Sequence, residues 1–222
     1  MSKLSRGEKG ELLVSKTLLG YKPYHHLLND VTFINKNSEM SHQIDHIFIC
    51  SFGVFLIETK NYFGEILLEN NNWKRRIKNK VEKLNNPLLQ NKSHAITLRK
   101  LIKGKYDIVP VVVFARNNAP YAGDENVINL DDLILFIESY PYKKKLTIDE
   151  IDDAYKLIHK NVKQVSKEEH IENISYLKAV NKELRKEKEY AISKGICPRC
   201  GAKMNIKGNK FSCPNCLYKF EL

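Results

Sequence analysis

The sequence contains no apolar run of the ~18–20 residues that a bilayer-spanning helix needs. Its longest candidate, residues 47–57, is interrupted by Ser51 and Gly53 and predicts two buried strands instead. The charged first ten residues hold no apolar segment of the kind that directs secretion. Internal repeats and low-complexity stretches are absent as well. We therefore expect a cytoplasmic protein with no membrane partner.

The composition is that of a chain with a substantial hydrophobic core. Apolar residues make up 42% of the 222 residues and charged residues 28%, which excludes global disorder. The formal net charge is +11, and the last 26 residues hold five basic side chains against one acidic. Such a distribution favours a polyanionic partner, most simply nucleic acid. Solubilising surface lysines are the alternative explanation.

Strand and helix patterns alternate through residues 1–140, which predicts an α/β domain with a mixed sheet. Strands are expected at 43–50, 54–59, 63–68, 73–81, 108–115 and 127–128, and helices at 8–19, 86–104 and 131–139. Two capping-box patterns, Thr147-x-x-Glu150 and Ser166-x-x-Glu169, then predict a helical connector over residues 141–196. Its apolar stripe over residues 171–184 is expected to pack on the first domain or on a partner helix.

Four of the five cysteines form two pairs, Cys197-x-x-Cys200 and Cys213-x-x-Cys216, with twelve residues between them. The interval is long enough for a hairpin that brings both pairs to one metal ion. Four thiolates suit Zn²⁺, and a closed site of this kind is structural. A disulfide pair or a redox site is the alternative, but an intracellular chain with both motifs favours zinc. We therefore predict a zinc ribbon at 197–222, which depends on the metal for much of its folding energy.

The ribbon pattern Cys-Pro-x-Cys-Gly-x-x-Met over residues 197–204 resembles the zinc ribbons appended to bacterial type I topoisomerases. That resemblance implies contacts with nucleic acid through basic side chains and exposed aromatic rings. The residues expected to make these contacts are Lys203, Lys207, Lys210 and Phe211. A protein–protein ribbon or a stabilising cap is the alternative function.

A predicted hairpin over residues 43–60 brings three charged side chains together. With a two-residue turn, the register pairs Asp45 with Glu58, which places their Cβ atoms ~4.5–5.5 Å apart. Lys60 shares that face because side chains alternate along a strand. Two carboxylates at this separation can share one divalent cation. A salt bridge between Glu58 and Lys60 is the alternative, since an unpaired buried charge is costly.

Four short blocks resemble the NERD (nuclease-related) domain in their order and context. They are Gly10-Glu11, Gln43-Ile44-Asp45-His46, Ile57-Glu58-Thr59-Lys60-Asn61 and Asn86-Pro87-Leu88-Leu89-Gln90. That family is similar to the PD-(D/E)xK nuclease superfamily, which includes archaeal Holliday-junction resolvases and many restriction enzymes. The resemblance covers about residues 5–120. It implies that the domain at 1–140 is a PD-(D/E)xK-like mixed sheet flanked by helices.

The resemblance also implies catalytic roles for five residues. Asp45 and Glu58 match the superfamily's metal ligands, and two carboxylates suit Mg²⁺ or Mn²⁺. Lys60 matches the lysine that orients the attacking water and offsets charge on the phosphorane. Glu11 matches the acid on the first helix, and Gln90 an accessory residue on the helix beside the site.

Two neighbouring residues have other expected roles. Glu8 is a rival to Glu11, because residues three apart can lie on one helix face. His46 is expected to face away from Asp45 and to belong to the core or to the surroundings of the site.

A second basic patch is expected beside this site. Lys74, Arg76, Lys78 and Lys80 alternate along the predicted strand 73–81 and would share one face. Such a strand would provide a track for phosphates. A solvated edge strand, protected by lysines against aggregation, is the alternative.

Together these features predict a Mg²⁺-dependent nuclease that acts on DNA as an endonuclease, in DNA processing, repair or defence. Two other functions stay open: a nucleic-acid-binding module without turnover, and a scaffold that recruits partners through the helical connector. The intact set of Glu11, Asp45, Glu58 and Lys60 favours the enzyme, because loss of an acid is the usual sign of a decayed site.

Overall fold

The computed structural model describes residues 4–34, 41–69, 72–120, 126–142, 144–162, 182, 186, 189–198, 200–216 and 218–221. The chain divides into two compact units, Met1–Ser166 and Lys167–Leu222. The helices of the first unit are α1 (Arg6–Leu19), α2 (Pro87–Leu101), α3 (Leu133–Ser139) and α4 (Ile148–Asn161). Its strands are β1 (His25–Ile34), β2 (Ser41–Cys50), β3 (Gly53–Lys60), β4 (Glu65–Glu69), β5 (Asn72–Ile77), β6 (Lys80–Lys83), β7 (Ile108–Phe114) and β8 (Val127–Asn129).

Five strands form the main sheet, in the order β1-β2-β3-β7-β8. The first three are antiparallel neighbours, whereas β3, β7 and β8 run parallel. Helices α1 and α3 cover one face through Val14, Leu18 and Leu133. Helices α2 and α4 cover the other face through Leu98 and Ile151. The predicted α/β class, with a mixed sheet flanked by helices, is confirmed.

Local sequence signals set the helix starts. Ser5 forms a capping box with Glu8 at α1, and Thr147 forms one with Glu150 at α4. The Asn86 side chain accepts two backbone hydrogen bonds at the start of α2. These caps satisfy N–H groups that have no partner inside the helix, so each helix begins at a defined residue.

Helix α4 belongs to the first unit, which extends to Ser166, beyond the boundary predicted at residue 140. Its Asp152 accepts a hydrogen bond from Tyr24 Oη at 2.6 Å and lies 2.7 Å from His26 Nε2. The rest of the predicted connector, with its apolar stripe, lies outside the described residues. Among the residues that are described, no helix is long and apolar enough to cross a membrane.

The remaining strands of this unit, β4, β5 and β6, form a separate antiparallel sheet. The single strand predicted over 73–81 is wrong, because the chain turns at Lys78, where φ is 52°, and Ile77 pairs with Lys80. Trp73 is buried and stacks on Phe114 with ring centroids 6.1 Å apart, which ties the small sheet to β7.

Candidate functional site

The hairpin of β2 and β3 brings the predicted site residues to one end of the main sheet. Its backbone pairing runs as far as His46 opposite Ile57, the register expected for a two-residue turn. The pairing ends there, one pair before Asp45 and Glu58. Instead, the Asp45 carboxylate accepts a hydrogen bond from the backbone N–H of Thr59 at 2.7 Å. A side-chain bond therefore holds Asp45 beside the end of β3.

Strand β2 is irregular at Asp45. The opposing Asp30 on β1 has a φ of 48°, and the pairing of the two strands skips this position. Ile44 and Ile47 enter the same core cluster although they are three residues apart, whereas a regular strand would turn them to opposite faces. Asp45 and His46 consequently line one cleft beside α1. The prediction that these two residues face opposite sides is wrong.

The charges at the hairpin end are strongly coupled. Burial and the neighbouring Glu58 raise the pKa of Asp45 to about 8. Glu58 is 5% exposed, and its Oε1 lies 2.5 Å from Lys60 Nζ. Although burial favours the neutral amine, the Glu58 carboxylate holds the pKa of Lys60 above its usual value. The alternative salt bridge is thus present, but it leaves unexplained why a second carboxylate, the half-buried Asp45, lies beside it.

Helix α1 brings Glu11 to the same cleft. Its carboxylate is one of the charges that raise the pKa of Asp45. Glu8 also borders the cleft, but its carboxylate accepts a hydrogen bond from the Ser5 N–H at 2.6 Å. Because Glu8 caps its own helix, the geometry favours Glu11 as the acid that belongs to the site.

Gly10 lets α1 approach the strand end closely. A Cβ atom at this position would lie 2.6 Å from Asn61 Cβ, far inside van der Waals contact. Asn61 in turn donates a hydrogen bond from Nδ2 to the carbonyl of Arg6 at 2.7 Å. The Gly10-Glu11 block can therefore be explained physically. Gly10 allows α1 to lie close to the strand end, and this position brings Glu11 to the cleft.

Helix α2 crosses the other face of β3. Its buried Asn91 donates Nδ2 hydrogen bonds to the carbonyls of Leu56 at 3.0 Å and Val111 at 2.8 Å, so it links α2 to both β3 and β7. Gln90 precedes it but is exposed, and no hydrogen bond within the described part of the chain joins its side chain to Asp45. Sequence reasoning missed Asn91, whose position on the apolar face of α2 was the available signal.

The carboxylates fit a hard divalent cation by their chemistry. Asp45 and Glu58 offer oxygen ligands at one end of the hairpin, with Glu11 close enough to influence Asp45. His46 adds a buried Nε2 that has no hydrogen-bond partner among the residues the structure describes, while its Nδ1 lies 2.8 Å from Asn29 Oδ1. A hydrated cation would add positive charge beside the carboxylates, and a water bound to it could donate a hydrogen bond to His46 Nε2.

The predicted basic face is divided in the structure. Lys74 and Arg76 form ion pairs with two glutamates of β4, at 2.7 and 2.8 Å. Lys78 lies in the turn, and Lys80 begins the next strand. The prediction of one continuous basic strand face is therefore wrong, because the period-two pattern spans a turn.

The four cysteines of the second unit form one cluster. Their Sγ atoms all lie within 4.8 Å of one another, and the distances Cys197–Cys216 and Cys200–Cys213 are 3.5 Å. A tetrahedral zinc site with bonds of ~2.3 Å requires separations of about 3.8 Å. A hydrogen bond from the backbone of Ala202 helps to lower the pKa of the Cys200 thiol to about 6. The cluster could hold a metal such as Zn²⁺ and fits a small zinc ribbon.

The ribbon sheet consists of β9 (Asn205–Lys207), β10 (Lys210–Ser212) and β11 (Lys219–Glu221), with β10 in the centre. The prediction that Phe211 is an exposed stacking ring is wrong, since Phe211 is 8% exposed and packs with Ile192 and Met204. A ribbon of 26 residues can bury little apolar surface, so its large apolar side chains are used as core. The predicted lysines are exposed: Lys203, Lys207 and Lys210.

The sequence is similar to those of other known proteins. The sequence profile of the nuclease-related domain (NERD) family matches residues 6–115. An uncharacterized protein of Bacillus anthracis is 32% identical over 162 residues, which cover 69% of this chain and 75% of the relative. No solved structure matches. The matched range of the family contains α1, the β2–β3 hairpin, α2 and β7, the elements that position the candidate site.

Proposed function

The chain belongs to the nuclease-related domain (NERD) family, and on that premise we propose that it is a Mg²⁺- or Mn²⁺-dependent nuclease that cleaves DNA endonucleolytically. The observation that supports this most is the gathering of Glu11, Asp45, Glu58 and Lys60 around one end of the hairpin. A structural ion pair alone would need only two of these four groups.

Each residue has a separate task in the proposed reaction. Asp45 and Glu58 would hold the cation directly, and Glu11 would act through bound water. When bound, the cation lowers the pKa of a coordinated water and stabilises the leaving oxygen. Lys60 stays protonated at neutral pH, because Glu58 holds its pKa high. Its ammonium group can therefore orient the attacking water and stabilise the charge that develops on the phosphoryl oxygens.

A nucleic-acid-binding module without turnover is the second candidate, and the Glu58–Lys60 ion pair favours it. If that pair is permanent, Lys60 is unavailable for chemistry and Glu58 is a weak ligand. In either case the exposed ribbon lysines at 203, 207 and 210 would add affinity through phosphates without reading sequence.

The test uses the full chain with supercoiled plasmid and with end-labelled single-stranded, duplex and branched DNA. We expect cleavage with Mg²⁺ or Mn²⁺ and none without an added divalent cation. Asp45→Asn and Glu58→Gln should abolish cleavage, because an amide is a poor ligand for a hard cation. Lys60→Ala should stop cleavage while sparing DNA binding. Nicking or linearising the closed plasmid would support endonucleolytic action.

Glu138→Gln, an exposed glutamate of α3, is the matched control and should cleave as the wild type does. Unchanged cleavage in both Asp45→Asn and Glu58→Gln would overturn the proposed active site. DNA binding without cleavage under every cation condition would favour the binding module instead.

A further inference from the structure

Phe63 is an exposed aromatic side chain close to the candidate active site. It follows Lys60 by three residues in the loop between β3 and β4, and 53% of it is exposed. Three extended residues span at most about 10 Å, so the ring lies within the reach of a few nucleotides from a phosphate held at Lys60. An aromatic ring left in solvent at this position contributes little to the core.

The loop that carries Phe63 is fixed in place. Asn118 donates hydrogen bonds from Nδ2 to the carbonyls of Tyr62 at 3.1 Å and Gly64 at 2.7 Å, the residues on either side. Gly64 has a φ of 97°, and a Cβ atom there would lie 2.4 Å from the carbonyl oxygen of Arg76. The backbone on both sides of the ring is therefore bonded and closely packed. Such rigidity is typical of a residue presented for binding.

Cationic groups flank the ring. The Arg116 guanidinium carbon lies over one face of the Phe63 ring, 5.8 Å from its centroid, whereas Arg75, which lies over the neighbouring Tyr62 at 5.6 Å, is ion-paired with Glu82. Arg116 follows β7, the parallel neighbour of β3, so it lies at the same edge of the sheet as Lys60. An aromatic face beside guanidinium groups offers stacking for a base and charge for phosphates, the combination that single-stranded nucleic acid requires.

We propose that Phe63, together with Arg116, is a stacking platform for an unpaired nucleobase beside the scissile phosphate. The platform would make the protein prefer single-stranded or locally melted nucleic acid to intact duplex, because the bases of a duplex are stacked on both faces and cannot lie on the ring. This inference rests on the proposed nuclease function and adds the class of substrate. The exposed Arg116 guanidinium on the ring and the net charge of +11 favour nucleic acid over an apolar protein partner as the occupant.

The experiment measures binding without added divalent cation, using oligonucleotides that carry 2-aminopurine, whose fluorescence falls when the base stacks. The probes are a single strand, a fully paired duplex and a duplex with an unpaired arm. We expect the wild type to quench the two probes with unpaired bases and to bind them more tightly. Phe63→Ala should lose the quenching and bind the single strand roughly ten-fold more weakly, with duplex binding unchanged. Phe63→Trp should keep both properties, because it keeps a stacking face.

Two further variants separate stacking from other effects. Phe63→Leu keeps apolar volume without a ring, so it should behave as Phe63→Ala does if stacking matters. Leu19→Ala removes another exposed apolar side chain, at the far end of α1, and should change nothing. The fluorescence of the single tryptophan, Trp73, reports whether the alanine and leucine variants stay folded, and circular dichroism does so for Phe63→Trp, which adds a second tryptophan.

The outcomes distinguish this inference from the proposed nuclease function. Equal loss of single-strand and duplex affinity in Phe63→Ala, or normal quenching in Phe63→Leu, would overturn the platform. Leu19→Ala, which lies in neither site, should cleave plasmid in Mg²⁺ as the wild type does. A wild type that quenches the unpaired base but never cleaves would leave the platform standing and overturn the nuclease.

Discussion

The two candidate metal sites of this protein are built in opposite ways. The carboxylates lie at the end of a five-stranded sheet whose faces carry two large apolar clusters. The cysteines lie in a ribbon whose core cluster has, within the described part of the chain, five buried residues, two of which, Cys197 and Cys213, are themselves candidate ligands. The first fold can exist without its metal, whereas in the second the metal would take the place of a core.

That difference decides what each ion would do. In the hairpin, a cation would offset charges that the fold already buries, so its removal should change chemistry more than structure. In the ribbon, the ion would hold the strands together, so its removal should change structure more than chemistry. Trp73, the single tryptophan, is buried in the first unit and reports the unfolding of that unit alone.

Replacing one thiolate should have the largest structural effect. We expect one zinc ion per chain in the wild type and loss of the ion with unfolding of the ribbon in Cys213→Ser. The melting transition of Trp73 fluorescence should stay unchanged. Cys50→Ser, at the buried cysteine of β2, is the matched control: it should keep the zinc and lower the Trp73 transition instead. Substoichiometric zinc in wild-type protein purified without chelator would contradict a ribbon that depends on its metal for folding, and with it the contrast between the two sites.

Gly10→Ala should strongly impair the hairpin site without unfolding the protein. The new Cβ atom would lie 2.6 Å from Asn61 Cβ, so α1 must shift and carry Glu11 with it. We expect a stability loss of about 1–3 kcal/mol, typical of overpacking, and a much larger loss of cleavage. Gly7→Ala on the same helix is the control, since its Cβ atom finds only ordinary contacts, the nearest at 3.6 Å. If both variants cleave equally well, the close approach at Gly10 has no role in the site.

The charge of Asp45 should have a smaller effect, which can be measured as a pH dependence of stability. Burial and Glu58 raise the pKa of Asp45 from 3.8 to about 8 in the folded protein without added cation. Between these two values the folded state binds more protons than the unfolded state, so stability falls as pH rises. The Trp73 melting temperature should therefore fall from pH 5 to pH 8, and Mg²⁺ at pH 8 should restore part of it.

Asp45→Asn provides the control for this pH effect. Its side chain is neutral at every pH, so this contribution to the slope and the response to Mg²⁺ should both disappear. A wild type whose melting temperature is independent of Mg²⁺ at pH 8 would contradict a cation site at the hairpin.

The features that could be predicted from the sequence are those set by short spacings. The cysteine cluster follows from two local pairs, and the pairing from Cys50 to His46 follows from a two-residue turn. The position of Asp45 could not be predicted, because the irregularity of β2 occurs opposite Asp30 on another strand. Asn91 and Phe63 were missed for a related reason. Asn91 bonds to β7, and the residue before Phe63 bonds to Asn118; both partners are distant in sequence.

The predictions that failed concern exposure and the ends of strands. Alternating lysines fit a long strand as well as a hairpin, and only the pairing of β5 with β6 decides between them. Phe211 is an aromatic residue among lysines, as in a nucleic-acid contact, but it forms part of the core of the small ribbon. Periodicity and composition indicate which residues share an environment. The burial of a residue depends also on which other side chains are available to form the core of its unit.

The smallest effect is expected from the ribbon lysines. Lys207 and Lys210 flank the turn between β9 and β10, and both are exposed. If they contact phosphates, Lys207→Gln and Lys210→Gln should each weaken binding alike for all sequences and reduce the salt slope by about one unit. Lys16→Gln, an exposed lysine in the last turn of α1, makes the same charge change and should leave the slope unaltered. If titrations at two salt concentrations give the wild-type slope for all three variants, the ribbon lysines are solvated surface residues that do not contact phosphates. The contrast between the two units would then be sharper, with the ribbon purely structural and nucleic-acid binding confined to the first unit.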